Sequence, residues 1–153
     1  MMSLALAKQE LQSLHLAAVL DVNAQINIRL AQTQIQPFIR IYHREKERLD
    51  WFREKHPEFS KPSFVSRNTF MTQLISIEGI HSVLDTSLPY LDYIYPIAKK
   101  TLDYCDSRLS HPNQPYSPYE LKLVKEIITM SSEKNTMVKR LRRLNNYEFS
   151  NNR

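Results

Sequence analysis

Residues 117–146 read SPYELKLVKEIITMSSEKNTMVKRLRRLNN, and this stretch carries the clearest helical pattern of the chain. Ser117, Pro118 and Glu120 form a typical helix start, with a capping serine, a proline at the first position and a glutamate three residues after the serine. The spacing that follows predicts an amphipathic helix to about Asn146, of the kind found in coiled coils and bundles. The positions that repeat at intervals of four and three are Leu123, Ile127, Met130, Lys134, Met137, Leu141 and Leu144.

Similar spacing of apolar residues predicts helices in the chain that precedes this stretch. Pro37 and Pro96 each remove a backbone donor and are expected to kink the helices in which they lie. The side of the first helix that carries amides is almost uncharged, which suits self-association or packing against a partner. These helices are predicted over residues 3–36, 38–55 and 66–85, with one more that ends near Leu109.

Glycine is nearly absent, because Gly79 is the single glycine in 153 residues, against an average usage of about 7%. Hairpin turns between strands usually take glycine, since they need positive φ angles. Loops between helices need less of it, and the chain has eight prolines to form them. We therefore expect an all-α fold, in which residues 1–153 form a single-domain bundle of four to five helices. The first and last helices are long, the kinks lie at Pro37 and Pro96, and residues 147–153 form a frayed tail.

The composition also excludes several classes of site. One glycine is too few for a Walker phosphate loop, a dinucleotide-binding turn or a nucleophile elbow. Cys105 is alone, so the chain has no internal disulfide and no cysteine-based zinc cluster. No apolar run approaches the roughly 18 residues of a membrane span, and residues 1–8 lack the order of a secretory signal. We expect a cytoplasmic protein without a cofactor.

Positive charge is concentrated near the C-terminus. The formal net charge is +5, and residues 118–153 hold eight basic and four acidic side chains, an excess of four positive charges. Such a cluster can attract nucleic acid or an acidic protein, although cations also favour a helix C-terminus because of its dipole. The candidate residues for binding a partner or nucleic acid are Lys134, Lys139, Arg140, Arg142 and Arg143.

Residues 130–133 leave two alternatives open for this basic segment. Ser131 and Ser132 are poor helix formers and good caps, so a turn at this point would divide residues 118–146 into a helix-turn-helix. Its second helix could then enter a major groove. The unbroken repeat through Lys134 instead favours one long basic amphipathic helix.

Glu78 and His81 are the candidate metal ligands, because Glu-x-x-His is the spacing that helical bundles use to place ligands inward. A di-metal site of this kind needs a second such motif, and the chain has none. The alternative is a core histidine with its hydrogen bonds satisfied, and we expect no bound metal. Gly79, between the two, either allows a crossing helix to pack closely or leaves room for a ligand.

Tyrosines are frequent in the second half of the chain, and each has two interpretations. A tyrosine can stack on bases or anchor an interface, and it can also lie half-buried in a bundle with its hydroxyl in water. The residues concerned are Tyr90, Tyr93, Tyr95, Tyr104, Tyr116 and Tyr119.

The sequence by itself therefore predicts a non-enzymatic helical interaction module, such as an adaptor, assembly subunit or regulator. Its partner would be a protein, including a further copy of the chain in a homo-oligomer. The alternative is a nucleic-acid-binding protein that uses residues 118–146, with residues 134–143 facing the acidic partner.

Overall fold

The computed structural model describes the backbone of residues 4–31, 34–131 and 134–151, and the side chains of residues 7–31, 34–131 and 137–145. Each of the first two helices is followed by a pair of strands, and the remaining four helices come after the second pair, with a short 3-10 turn, Leu88–Tyr90, between the third and fourth helices. The elements in chain order are α1 (Leu4–Asn23), β1 (Ala24–Leu30), β2 (Ile35–His43), α2 (Lys46–Lys55), β3 (Ser63–Ser66), β4 (Thr69–Leu74), α3 (Ile77–Ser87), α4 (Tyr95–Ser110), α5 (Pro118–Ser131) and α6 (Lys134–Asn151).

The four strands form one antiparallel sheet in the order β1-β2-β4-β3. All seven residues of β1 pair with β2, from Ala24 opposite Ile41 to Leu30 opposite Ile35. β4 pairs with β2 over Ile39 to His43 alone. The expected all-α bundle is therefore wrong, because an antiparallel sheet occupies the middle of the described chain.

A turn without glycine explains why the glycine argument fails. Arg67 and Asn68 connect β3 to β4 with φ angles of 47° and 62°. A two-residue hairpin turn of type I′ requires positive φ at both central positions, and asparagine is among the residues that tolerate it best. Non-glycine residues thus make the reversal that the sequence argument reserved for glycine.

The helices expected over residues 3–36 and 38–55 are wrong where β1 and β2 lie. From Gln25 to Leu30 polar and apolar residues alternate strictly, which is the period of a strand with one buried face. Pro37 lies inside β2 and kinks no helix. Pro96 lies in the first turn of α4, where a missing N–H costs little, so it causes no kink. The helix expected over 66–85 is likewise divided into β4 and α3.

Helices cover one face of the sheet, and the core between them has two parts. In the first part Ile26, Ile39 and Leu74 of the sheet pack with α1, α2, α3 and α4. In the second part Ile28, Leu30 and Ile35 pack with Tyr104 and with α5 and α6. The sheet therefore has one face in the core and one face turned away from the helices.

The start of α5 is as the sequence predicts. The Ser117 backbone N–H donates to Glu120 Oε1 at 2.8 Å, and the Glu120 N–H donates to Ser117 Oγ at 3.1 Å. These are the two reciprocal bonds of a capping box. The predicted turn at residues 130–133 lies partly outside the described residues, as do residues 152–153 of the predicted tail at 147–153.

None of the helices in the described part of the chain has the length and apolar character needed to cross a membrane.

Candidate nucleic-acid interface

The face of the sheet that points away from the helices carries polar side chains. Successive residues of a strand point to opposite faces, and residues paired across two strands share a face. Gln25 pairs with Arg40, Asn27 with Phe38 and Arg40 with Gln73, so these side chains lie together. We call this surface the polar face. Its residues are Gln25, Asn27, Arg29, Gln36, Phe38, Arg40, Tyr42, Met71 and Gln73.

The polar face contains no carboxylate. None of the four strands, all of which the structure describes, includes an aspartate or a glutamate. The charged groups on the polar face are the guanidinium groups of Arg29 and Arg40. Amide side chains make up most of the rest. The surface is therefore positively charged and offers both hydrogen-bond donors and acceptors. These properties suit a polyanion that itself carries hydrogen-bonding groups.

Contacts within the polar face hold the Arg40 guanidinium in place. Arg40 Nε donates to Gln73 Oε1 at 3.1 Å, and its guanidinium carbon lies 4.1 Å from the centre of the Phe38 ring. On the neighbouring strand Gln25 Oε1 accepts a hydrogen bond from the Tyr42 hydroxyl at 3.3 Å. The side chains in the centre of the face are thus ordered before any ligand binds, which lowers the entropic cost of binding.

Asn27 connects the polar face to the last helix. Its side-chain oxygen accepts hydrogen bonds from Ser131 Oγ at 2.8 Å, from the Ile28 N–H at 2.7 Å and from the Arg140 guanidinium. Asn27 is buried, so these bonds satisfy an oxygen that would otherwise lose its water. Arg143 Nη2 also donates to the Leu30 carbonyl at 2.8 Å.

The basic residues predicted on the last helix are therefore divided into two groups. Arg140 and Arg143 are tied to β1, and burial together with the nearby charge of Arg143 lowers the pKa of Arg140. Lys139 and Arg142 are exposed. The backbone of Lys134 begins α6, while its side chain lies outside the described residues.

The candidate metal ligands lie on α3, where one of them contacts a carboxylate of a neighbouring helix. His81 Nε2 contacts Asp106 Oδ1 of α4, and Glu78 is exposed one turn earlier. Across the described residues there is no group of three His, Cys, Asp or Glu side chains that could hold a metal ion. The position of His81 is thus that of a contact between two helices.

Sequence reasoning missed the polar face because it assigned the strands to helices. The signal was the period of two in residues 25–30, where glutamine, asparagine and arginine alternate with Ile26, Ile28 and Leu30. In β2 the same signal is weaker, because Pro37 and Phe38 interrupt the alternation. The basic cluster of the last helix was found from sequence, but its attachment to Asn27 was not predictable.

Comparison with known proteins gives the fold. No protein-family model matches the sequence, and no curated protein matches it. Solved structures do match. I-CvuI, in complex with its target, is a homing endonuclease that is 13% identical, with a TM-score of 0.69 over 91% of this chain and 98% of that one. The chain has the fold of a homing endonuclease.

Other endonucleases share this fold. The archaeal intron-encoded homing endonuclease I-Vdi141I, complexed with DNA, is 11% identical, with a TM-score of 0.66 over 92% of this chain and 99% of that one. The LAGLIDADG meganuclease I-AabMI, bound to uncleaved DNA, is 10% identical, with a TM-score of 0.60 over 79% of this chain and 44% of that one. At these identities the likeness establishes the homing-endonuclease fold.

These findings overturn the expectation of a non-enzymatic helical adaptor, and with it the expectation of a coiled coil. The proteins that share the fold are homing endonucleases by name, and several were solved on DNA. That agrees with the nucleic-acid alternative, while nothing in the comparisons supports a separate protein partner. That alternative named residues 118–146, and the strands that form the polar face lie outside this range.

Proposed function

We propose that the protein binds a specific site in duplex DNA and that the polar face of its sheet makes the base contacts. The observation that carries the proposal is a strand surface with arginine and amide side chains and no carboxylate. Arginine pairs with guanine through two hydrogen bonds, and glutamine or asparagine pairs in the same way with adenine. The major groove is wide enough to admit antiparallel strands.

Phosphate contacts would come from the exposed basic residues beside the polar face. Lys139 and Arg142 are exposed on α6, and the neighbouring Arg140 fixes this helix against β1. Contacts to phosphate position a protein on the duplex without reading its sequence, and they make affinity depend on salt. We therefore assign base reading to the sheet and phosphate binding to these two residues.

We also propose that the protein cleaves DNA strands at the bound site. This part rests on the shared fold, as an analogy with the endonucleases above. Two of the I-CvuI complexes were obtained in the presence of calcium or magnesium. The described residues of one chain do not fit a divalent cation, since they contain no group of three suitable ligands. The two carboxylate oxygens of Asp21, near the end of α1, accept hydrogen bonds from the backbone N–H groups of Asp92 and Ile94 at 2.9 and 3.1 Å. No cleavage step through a metal is therefore proposed.

A second copy of the chain would complete the DNA-binding surface. Leu11, Leu14 and Val22 of α1 are 65%, 47% and 80% exposed, and with Ala18 between them they form a stripe along one side of the helix. An exposed apolar stripe of this kind is typical of an association surface. The I-AabMI chain is long enough to hold more than one unit of this size, since the match covers 44% of it. A two-fold dimer would read a palindromic site.

The test begins with selection of bound duplexes from a random library, followed by titration of the selected duplex at several salt concentrations. Arg40→Ala should reduce affinity and relax base preference, because it removes a base-reading group. Arg48→Ala is the matched control, because Arg48 is an exposed arginine of α2 that pairs with Glu45 away from the polar face.

Cleavage is measured separately, on plasmid that carries the selected site, with magnesium or with chelator. The proposal of site-specific DNA binding fails if no duplex is enriched, or if Arg40→Ala and Arg48→Ala bind alike. The proposal of strand cleavage fails if the bound plasmid stays intact in the presence of magnesium.

A further inference from the structure

The first residues of β2 extend past the end of β4. β1 pairs with β2 up to Ile35, whereas β4 reaches only as far as Ile39. Residues 35–38 therefore have β1 on one side and no described strand on the other. The backbone groups on that open side need partners, because an unpaired edge loses hydrogen bonds and invites incorrect pairing.

Two residues along this edge direct their backbone groups away from β1. The Ala31 N–H donates to the Gln34 carbonyl at 3.0 Å. Since hydrogen-bonded and non-hydrogen-bonded pairs alternate in an antiparallel ladder, Ile35 and Pro37 turn outward. Pro37 has no N–H to satisfy, which is why a proline is tolerated there. That leaves Ile35 with both a donor and an acceptor at the edge.

Two tyrosine hydroxyls form hydrogen bonds with the backbone N–H and carbonyl of Ile35. The Ile35 N–H donates to Tyr116 Oη at 2.8 Å, and Tyr104 Oη donates to the Ile35 carbonyl at 3.2 Å. The tyrosines come from α4 and from the segment before α5, far along the chain from β2. They occupy the place of the missing strand, and we call the pair the tyrosine clamp.

Both tyrosines are themselves held firmly. Tyr104 is fully buried, and burial raises the pKa of its hydroxyl, so it remains a donor. The Tyr116 ring lies under the Arg108 guanidinium, whose carbon is 4.5 Å from the ring centre. Arg108 donates in turn to Glu120 at 3.3 Å and to the Gln114 carbonyl at 3.1 Å. The clamp is thus part of a rigid network around the start of α5.

The clamp acts on the end of the polar face. Ile35 points into the core, so its neighbour Gln36 points to the polar face, directly opposite Arg29. The Arg29 guanidinium is exposed and donates no hydrogen bond to another described residue, whereas the Gln36 side-chain amide donates to the Ile75 carbonyl. At about 3.3 Å per strand residue, Gln36 lies roughly 13 Å from Arg40, or about four base-pair steps of DNA. The two ends of the face would therefore meet different base pairs.

We propose that Tyr104 and Tyr116 are positioning residues that set base preference at the outer part of the DNA site, where Arg29 and Gln36 lie. The proposal rests on the DNA-binding function proposed above. A side chain that reads a base must be held within a fraction of an ångström, and rigid support beneath the strand provides this. Loss of a clamp hydroxyl frees the backbone that carries Arg29 and Gln36.

The experiment measures affinity for every single-base variant of the selected duplex, and Arg29→Ala first identifies which positions are the outer ones. Tyr116→Phe should reduce discrimination at those positions by roughly 3- to 10-fold, with inner positions and the salt dependence unchanged. Tyr104→Phe should give the same pattern and serves if Tyr116→Phe does not fold. Tyr119→Phe, which changes an exposed tyrosine in the first turn of α5, is the control and should behave as the original protein.

The outcomes separate the clamp from the function on which it rests. If the original protein selects a site and the phenylalanine variants keep its full preference profile, the clamp proposal is overturned and the DNA-binding proposal stands. A uniform loss of affinity at all positions, with a lower melting temperature, would show that the tyrosines have only a structural role. That result would also overturn the clamp proposal. If the original protein selects no duplex, both proposals fail together.

Discussion

Asn27 Oδ1 accepts a hydrogen bond from the Arg140 guanidinium, and this contact joins the polar face of β1 to α6. The two residues are 113 positions apart in the chain. The basic segment at the C-terminus is thereby divided into an anchoring part and an exposed part, and the two parts should respond differently to mutation.

Arg140→Ala should destabilise the fold by roughly 1–2 kcal/mol, because Asn27 loses a charged donor in a buried place. Arg142→Ala, on the exposed side of the same helix, should change stability by less than about 0.5 kcal/mol. It should instead lower the salt dependence of DNA binding by about one unit of slope. Urea unfolding and salt titration measure the two effects. Equal loss of stability in both variants would show that Arg140 is no anchor.

The ion pair of Arg108 with Glu120 gives a second prediction. Their atoms are 3.3 Å apart, and the side chains are 12% and 2% exposed. Arg108→Ala would leave a buried carboxylate without its cation, so we expect a loss of roughly 3–5 kcal/mol in the free energy of unfolding. Lys99→Ala, which breaks the exposed pair with Asp103, should cost no more than about 0.5 kcal/mol. Similar costs for the two would refute the assignment of Arg108 as a buried anchor.

Gly79 is a test of packing at the start of α3. A Cβ at this position would lie 2.6 Å from Ser76 Oγ and 2.8 Å from Leu74 Cδ1, so the space beside Gly79 is already filled. Gly79→Ala should therefore displace either the cap of α3 or a core leucine, at a cost of roughly 1–2 kcal/mol. Ser82→Ala, at an exposed position of the same helix, is the control for thermal unfolding. A stabilised Gly79→Ala protein would contradict this geometry.

The stripe on α1 predicts the oligomeric state. Val22→Glu places a charge on a side chain that is 80% exposed in one chain, so folding should be preserved. The charge would be buried in a dimer, and we expect sedimentation to show a monomer with at least tenfold weaker binding to the selected duplex. Gln12→Glu adds the same charge at an exposed position beside the stripe and should leave the dimer intact. Val22→Glu that still sediments as a dimer would place the interface elsewhere.

Structural features with an unambiguous local sequence pattern were predictable. The capping box of Ser117 and Glu120 forms as expected, because its bonds join residues three apart. Periodicity was ambiguous elsewhere. Phe70 and Leu74 are four apart, which suits a helix, yet they also fit one face of a strand.

The rest depended on contacts between distant residues. The hydrogen bonds that join Ile35 to Tyr104 and Tyr116, and Asn27 to Arg140, connect residues 69, 81 and 113 positions apart, so local spacing gives no sign of them. The glycine count was misleading for a different reason, since Arg67 and Asn68 adopt positive φ angles that composition alone cannot reveal. The candidate site was missed because its residues share a face only once the strands are paired.

The most direct measurement places a photo-cross-linking residue at Gln25, an exposed position of the polar face, and compares it with the same residue at Glu54, an exposed position of α2. With the selected duplex bound, we expect cross-linking to DNA bases from position 25 and none from position 54. Cross-linking from position 54 alone, or from neither position while the duplex is bound, would contradict the assignment of the polar face as the DNA-binding surface.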